Sequence, residues 1–378
     1  MEYEGFDRYR PGGYHPVHLG NKLNNGRYVV EHKLGYGSYA THQRRLNSYA
    51  FSIHPSHSFF PALLDEFTLE GPYGTHLCLV MEPLGLNLST ALEHARPLPL
   101  KVARRVAVQM IQAIVQLHGK GVVHGDLHGR NIVFCLPGLE TWTREQVDIK
   151  LGEPMVCSVS DSDSDTENSI IWSDSGMENS IGSDNSGQSE SPRDPNITIP
   201  EYFVYPPSVE DMTPLCLTDD CSIQIVDFGE AFFSHPDGVQ KQLGTSTPLA
   251  VAAPEVLFKD VLTPASDIWS LGYLIFNTIC GYSLWSYLTS LDDVLTDITL
   301  AYGRLPERWW TKWELRGYFF EEDGQPKEGK ISPDCRDLKT MITKRLLKVR
   351  LIVAMMKLEP AERVTAKEAL RLIPQAWG

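Results

Sequence analysis

His124-Gly125-Asp126-Leu127-His128-Gly129-Arg130-Asn131 and, about a hundred residues later, Asp227-Phe228-Gly229 decide the reading of this chain. Each stretch puts a carboxylate on a loop beside an apolar, β-prone run. Val122-Val123 precedes the first loop and Ile132-Val133-Phe134 follows it, while Ile225-Val226 leads into the second. A His-x-Asp or an Asp-Phe-Gly alone is a weak signal. Two such loops in this order, each edged by strand-forming residues, are not accounted for by chance.

Phosphoryl transfer needs an orienting base at the acceptor hydroxyl, a metal bridging the phosphates and a backbone cradle for them. Asp126 stands at a place resembling that of the protein kinases' catalytic aspartate, and Asn131 and Asp227 at places resembling those of their metal ligands, whose hard oxygens are of the kind Mg2+ takes. The two loops resemble the catalytic and metal-binding elements of the protein kinases. The first loop also resembles that of small-molecule phosphotransferases, so it leaves the substrate class open. Three later features resemble protein kinases alone. Ala253-Pro254-Glu255 matches the end of an activation segment, and Asp267-x-Trp269-x-x-Gly272 matches the helix whose aspartate braces the catalytic loop. Arg363 matches the arginine that pairs with Glu255, as a buried carboxylate requires.

Further stretches resemble the SR-protein kinase family, in particular its fungal branch. They are Pro11-Gly12-Gly13-Tyr14-His15-Pro16-Val17, Asn25-Gly26-Arg27-Tyr28, Gly74-Thr75-His76-Leu77-Cys78-Leu79-Val80 and Leu305-Pro306-Glu307-Arg308-Trp309-Trp310. The resemblance implies a two-lobed α+β protein-kinase fold, with a small β-rich N-lobe and a larger, mainly helical C-lobe. It implies a lead-in over 1–30, a shortened N-lobe over 31–85 and a C-lobe over 86–378, interrupted by an insert at 137–221. It further implies an ATP- and Mg2+-dependent protein serine/threonine kinase linked to regulation of mRNA splicing. Asp126, Asn131 and Asp227 would be catalytic, the last two holding Mg2+. Leu34, Gly35 and Gly37 would cover the nucleotide. Adenine would meet the Glu82 carbonyl and the Leu84 carbonyl and N–H. Pro83, with no N–H, falls where none is needed. Protein substrates, in the family rich in Arg and Ser, are the expected partners of a monomer in the cytoplasm, the nucleus or both.

The first 85 residues depart from that pattern. Leu34-Gly35-Tyr36-Gly37-Ser38-Tyr39-Ala40 keeps two glycines of a G-x-G-x-x-G loop, but only 45 residues separate Gly37 from Glu82. Four strands, their turns and one helix need roughly 50–60. Ser48-Tyr49-Ala50-Phe51-Ser52-Ile53 aligns with the strand that carries the ATP-anchoring lysine, which puts Ser52 in its place. The helix bearing the lysine's glutamate partner is missing from the count. His128 stands where these kinases carry lysine, and Ala252 where the family has a substrate-pocket arginine. Two rival readings follow: a pseudokinase that binds and scaffolds, and an incomplete gene model of an active kinase.

Composition sets outer bounds. The 378 residues are 42% hydrophobic and include eight Trp, enough for a sizeable core. No apolar run reaches the roughly 18–20 residues of a membrane span, the start has no secretory signature, and no basic, aromatic-studded patch suggests nucleic acid. The net charge of −14 is local: residues 153–220 hold fifteen acids and one base, Arg193, so the remainder sums to zero. Ser158–Ser191 carries twelve Ser and little to bury, the composition of a disordered spacer. Seven scattered Cys suit free thiols, although Cys216 and Cys221 form a C-x4-C pair. Val102, Val106, Met110, Ile114 and Leu117 recur at helical spacing and predict a helix over 99–120.

Overall fold

The computed structural model describes residues 9–34, 59–136, 138–158, 201–234, 247–285, 290–330 and 349–377. Gly35, Gly37, Ser52 and most of the acidic serine run lie outside them. The chain divides into two units, one of 1–41, 65–80 and 143–207, the other of 42–64, 81–142 and 208–378.

The first unit is built on an antiparallel hairpin, Leu63–Gly71 with Gly74–Met81, of which it holds the part from Asp65 to Val80. The lead-in packs on this hairpin through aromatic rings. Tyr9, Tyr73 and Phe203 are buried together with Tyr14 against them. Tyr28 stacks on Phe67 at 5.6 Å and donates to Asp65 at 2.7 Å, while Arg27 pairs with the same carboxylate at 3.0 Å. Tyr28–Val29 pairs antiparallel with Lys22–Leu23.

Phe203 in that cluster comes from the expected insert. Residues 138–158 and 201–221 are folded. Thr143 and Gln146 close a capping box that starts the helix Arg144–Leu151. Val156–Ser158 then pairs antiparallel with Tyr202–Val204. Ser158 lies opposite Tyr202, so the chain leaves and re-enters this hairpin at neighbouring points. Replacing 159–201 by an Asn-Gly turn, the residue pair favoured in two-residue hairpins, should therefore shift the melting temperature by no more than about 2 °C. That is under 1 kcal/mol at the usual conversion. A drop of 10 °C by calorimetry would show that the deleted stretch contributes to packing.

The second unit holds the larger core. A three-stranded antiparallel sheet runs Ile223–Ile225, Ile132–Cys135, Leu84–Asn87, with Ile225 opposite Ile132 and Cys135 opposite Leu84. The helix Leu100–Gly119 follows the predicted spacing, and Val102, Val106, Met110, Ile114 and Leu117 are all buried. Pro99 occupies the N-cap, just ahead of the first turn. Helix Pro264–Cys280 is apolar on nearly every face and sits at the centre of the unit. Thr263 caps it and Gly281, with φ 71°, ends it. A Cβ on Gly272 would stand 2.7 Å from Met356 Cγ, so the glycine of the Asp267-x-Trp269-x-x-Gly272 stretch serves close packing. The three Trp of 309–313 use their indole N–H groups on Asp260, Glu322 and Asp292. Among the described residues no helix is long and apolar enough to cross a membrane. The six described cysteines form no disulfide with one another, and burial pushes the Cys221 thiol up to about 11.

Candidate active site

Asp126 sits on a loop that has almost no freedom left. One turn before it, the backbone N–H groups of His124 and Gly125 donate to the two oxygens of Asp267 at 2.8 and 3.0 Å. His118 Nε2, from the end of the long helix, adds a third bond to Asp267 at 2.9 Å. Asp267 is fully buried. Burial opposes its ionisation, but the bond and charge of His118, with His124 behind them, outweigh that and hold its carboxyl below the usual range. A depressed folded value stabilises the fold above the unfolded value and is lost as pH falls through the folded one. The brace is thus an ionised carboxylate at neutral pH.

Beyond Asp126 the loop is tied by Asn131, whose Nδ2 donates to the Asp126 carbonyl at 3.0 Å. The amide oxygen of Asn131 is left for another partner. Gly125, at φ 78°, is required twice: an added Cβ would lie 2.8 Å from the Glu230 carbonyl oxygen. Two imidazole tautomers follow from backbone donors. The Asp126 N–H donates to His124 Nδ1 at 3.3 Å, so the His124 proton is on Nε2, which reaches the Val226 carbonyl at 3.1 Å. The Arg130 N–H donates to His128 Nδ1 at 3.3 Å, so His128 turns an Nε2–H toward Asp126 Oδ2, 3.5 Å away. His128 therefore presents an N–H donor to the aspartate from the position where lysine was expected. Asp126 Oδ1 is buried with no hydrogen-bond partner among the described residues, an acceptor held ready for a proton donor from outside the chain.

Asp227 follows directly on the strand beside this loop, and the Val226 N–H bonds the Asn131 carbonyl at 2.9 Å. Its φ of 61° is uncommon for a residue with a side chain. One carboxylate oxygen accepts the Gly229 N–H at 3.2 Å and the side chain is otherwise exposed. Phe228 turns inward against His124 at 5.1 Å and Phe60 at 5.9 Å. Asp126, Asn131 and Asp227 are thus gathered on two adjoining loops of one unit. Glu82 and Leu84 lie half-buried ahead of and on the strand beside Cys135. Leu34 is 38% exposed.

The support extends further back. Arg363 and Glu255 form a bidentate pair at 2.6 and 2.7 Å, with Arg363 set over the Trp269 ring at 5.1 Å. Ser266 joins Glu255 at 2.9 Å. Sequence reading placed Asp267 and Glu255–Arg363 but missed His118 and Phe60. His118, six residues before His124 at the end of an amphipathic helix, offered a weak signal; Phe60 offered none beyond its hydrophobicity.

Comparison with known proteins agrees with this geometry. The protein kinase domain family matches residues 215–372. The serine/threonine-protein kinase SRPK of Physarum polycephalum is 24% identical over 98% of this chain and 90% of its own length. Protein kinase dsk1 of Schizosaccharomyces pombe is 30% identical over 35% of this chain. SRSF protein kinase 3 of Homo sapiens is 27% identical over 36% of it. The match spans about a third of the length of dsk1, 31%, and 30% of the human enzyme. The solved kinase domain of PF14_0431 superposes with a TM-score of 0.50 at 17% identity, over 82% of this chain and 76% of that one. Its likeness speaks for the two-lobed α+β fold alone. Loop geometry, the Asp267 brace, the Glu255–Arg363 pair and these relatives agree in likening the chain to the protein kinases, and among them to the SR-protein kinases.

Proposed function

We propose that the chain transfers the γ-phosphoryl group of ATP to serine or threonine hydroxyls of proteins. The observation that carries this reading is Asp126. Its Oδ1 is buried with no hydrogen-bond partner among the described residues, on a loop fixed by Asp267 and Asn131. An acceptor hydroxyl donating to that oxygen would be held and oriented for attack, and Asp126 would take its proton. His128 Nε2–H faces the other carboxylate oxygen at 3.5 Å.

The residues present fit Mg2+. Asn131 has its amide oxygen free of the bond its nitrogen makes, and Asp227 offers an exposed carboxylate. Oxygen donors in small number are what Mg2+ takes beside phosphate. When bound, the ion would neutralise charge on the phosphates. Glu82 and Leu84 would meet adenine through their backbone, and Leu34, Gly35 and Gly37 would cover the nucleotide. Arginine- and serine-rich proteins are the substrate class we favour, in the cytoplasm, the nucleus or both, with Ala252 in place of arginine loosening that preference.

A second reading is favoured by one feature of the sequence, Ser52 at the lysine position: a nucleotide-binding scaffold with little turnover. Both readings expect Mg-ATP to bind, weakened by the lost charge-assisted contact. That contact is worth about 1.5–3 kcal/mol, or roughly 10- to 150-fold in Kd. Calorimetric titration should give saturable binding that disappears when Mg2+ is withheld. No heat at millimolar Mg-ATP would reject both readings. Phosphate transfer to a synthetic arginine/serine-repeat peptide separates them, since a scaffold gives none.

A further inference from the structure

Behind the catalytic loop lies a cavity of about 560 Å³ that the site described above does not use. Its size falls within the roughly 300–1,000 Å³ of small-ligand pockets. Val115, Ile268, Pro264, Pro360 and Val364 make its walls apolar, and His118 forms part of the lining. His118 spends Nε2 on Asp267, and its Nδ1 has no partner among the described residues. Lys367 also lines the cavity; it is exposed and makes no ion pair among the described residues. Its neighbour Glu368 accepts instead from the Thr365 N–H and hydroxyl at 2.7 and 2.9 Å and makes no ion pair with Lys367.

We propose that this cavity binds a small amphipathic carboxylic acid. The apolar body would lie against Val115, Ile268 and the two prolines, and the carboxylate would sit at Lys367. An apolar slot with one uncompensated cation favours an anion over a neutral molecule of the same shape. The ligand would touch His118, one hydrogen bond from the carboxylate that braces the catalytic loop. Its occupancy is therefore placed to bear on the loop that carries Asp126. The binding site itself does not rest on the catalytic reading, so failure of one leaves the other standing.

The test titrates the full chain calorimetrically with decanoate and, separately, with decanol. Decanoate should saturate a single site, and decanol should bind more weakly. Ala361→Trp puts an indole into the cavity from an exposed lining position and should weaken decanoate at least about tenfold, since the walls are then covered. Lys367→Glu should weaken decanoate about two- to fivefold, the range of an exposed ion pair, and leave decanol unchanged. Both positions are exposed, so melting temperatures should match the parent and report intact folding. No decanoate binding up to 5 mM (roughly the weak limit of a millimolar site) would overturn the proposal. So would decanoate binding that neither variant alters, or decanol binding as tightly as decanoate.

Discussion

Arg363→Ala should lower the stability of the fold by about 3–5 kcal/mol, the cost of stranding a buried charge. At the usual 2–4 °C per kcal/mol for a domain of this size, the melting temperature falls by roughly 6–20 °C. The size of the effect follows from the donor count. A guanidinium has five N–H groups. Arg363 places its two terminal nitrogens on Glu255 at 2.6 and 2.7 Å and on the carbonyls of Ala265 and Leu358 at 2.8 and 2.9 Å. Its Nε reaches the Lys357 carbonyl at 2.7 Å. The Arg363 side chain has 0% of its surface exposed and that of Glu255 2%, so water replaces none of these bonds. Truncation therefore leaves the buried Glu255 carboxylate with only the Ser266 hydroxyl as a side-chain donor and takes a bond from each of three carbonyls. Adding Glu255→Ala should recover part of the loss, because the stranded charge goes while the three carbonyl bonds stay lost. Denaturation of both single variants and the double variant gives the coupling. A double variant as unstable as the sum of the singles would show that the pair does not act as a unit.

That pair was legible in the sequence because its two halves sit in short stretches whose chemistry requires each other, although 108 residues separate them. The same holds for Asp267, read as a brace and found accepting from His124 and Gly125. The long helix was legible from spacing alone. Such features are local patterns, or demands of buried charge, and sequence carries both.

What escaped depends on packing between distant segments. Phe203 belongs to a stretch whose average composition is acidic and serine-rich, yet it closes the aromatic cluster with Tyr9 and Tyr73. The averaging hid a capping box at Thr143 and Gln146 that was available residue by residue. Nor does the β-prone run from Tyr28 to Leu34 show that its strand pairing is confined to Tyr28 and Val29, which depends on Lys22 and Leu23 as partners. The tautomer of His128 is set by the Arg130 N–H, a backbone fact no side-chain pattern encodes. Gly35, Gly37 and Ser52 lie outside the described residues, and the question they raise belongs to experiment.

Asp126→Asn should reduce phosphate transfer by about 10²–10⁴-fold, the usual contribution of a positioned base, with Mg-ATP affinity and melting temperature held. The amide keeps the shape of the side chain, and the loop is fixed by backbone bonds to Asp267 and by Asn131, none of which uses the Asp126 carboxylate. What is lost is the acceptor at Oδ1, which has no partner among the described residues to protect. The starting rate matters, because a serine at position 52 cannot neutralise phosphate charge as an ammonium does. Grafting a complete strand-and-helix segment, with its lysine and glutamate, between Tyr39 and His54 should raise transfer by orders of magnitude. Asp126→Asn in the grafted chain should then remove the gain. Transfer that persists in the grafted Asp126→Asn protein would take the base away from Asp126. A graft that folds and binds Mg-ATP but stays silent would move the defect to His128 or Ala252, the other two departures from the family pattern. Silence relieved by His128→Lys alone would show that the imidazole N–H, 3.5 Å from Asp126 Oδ2, cannot do what a fixed positive charge does there.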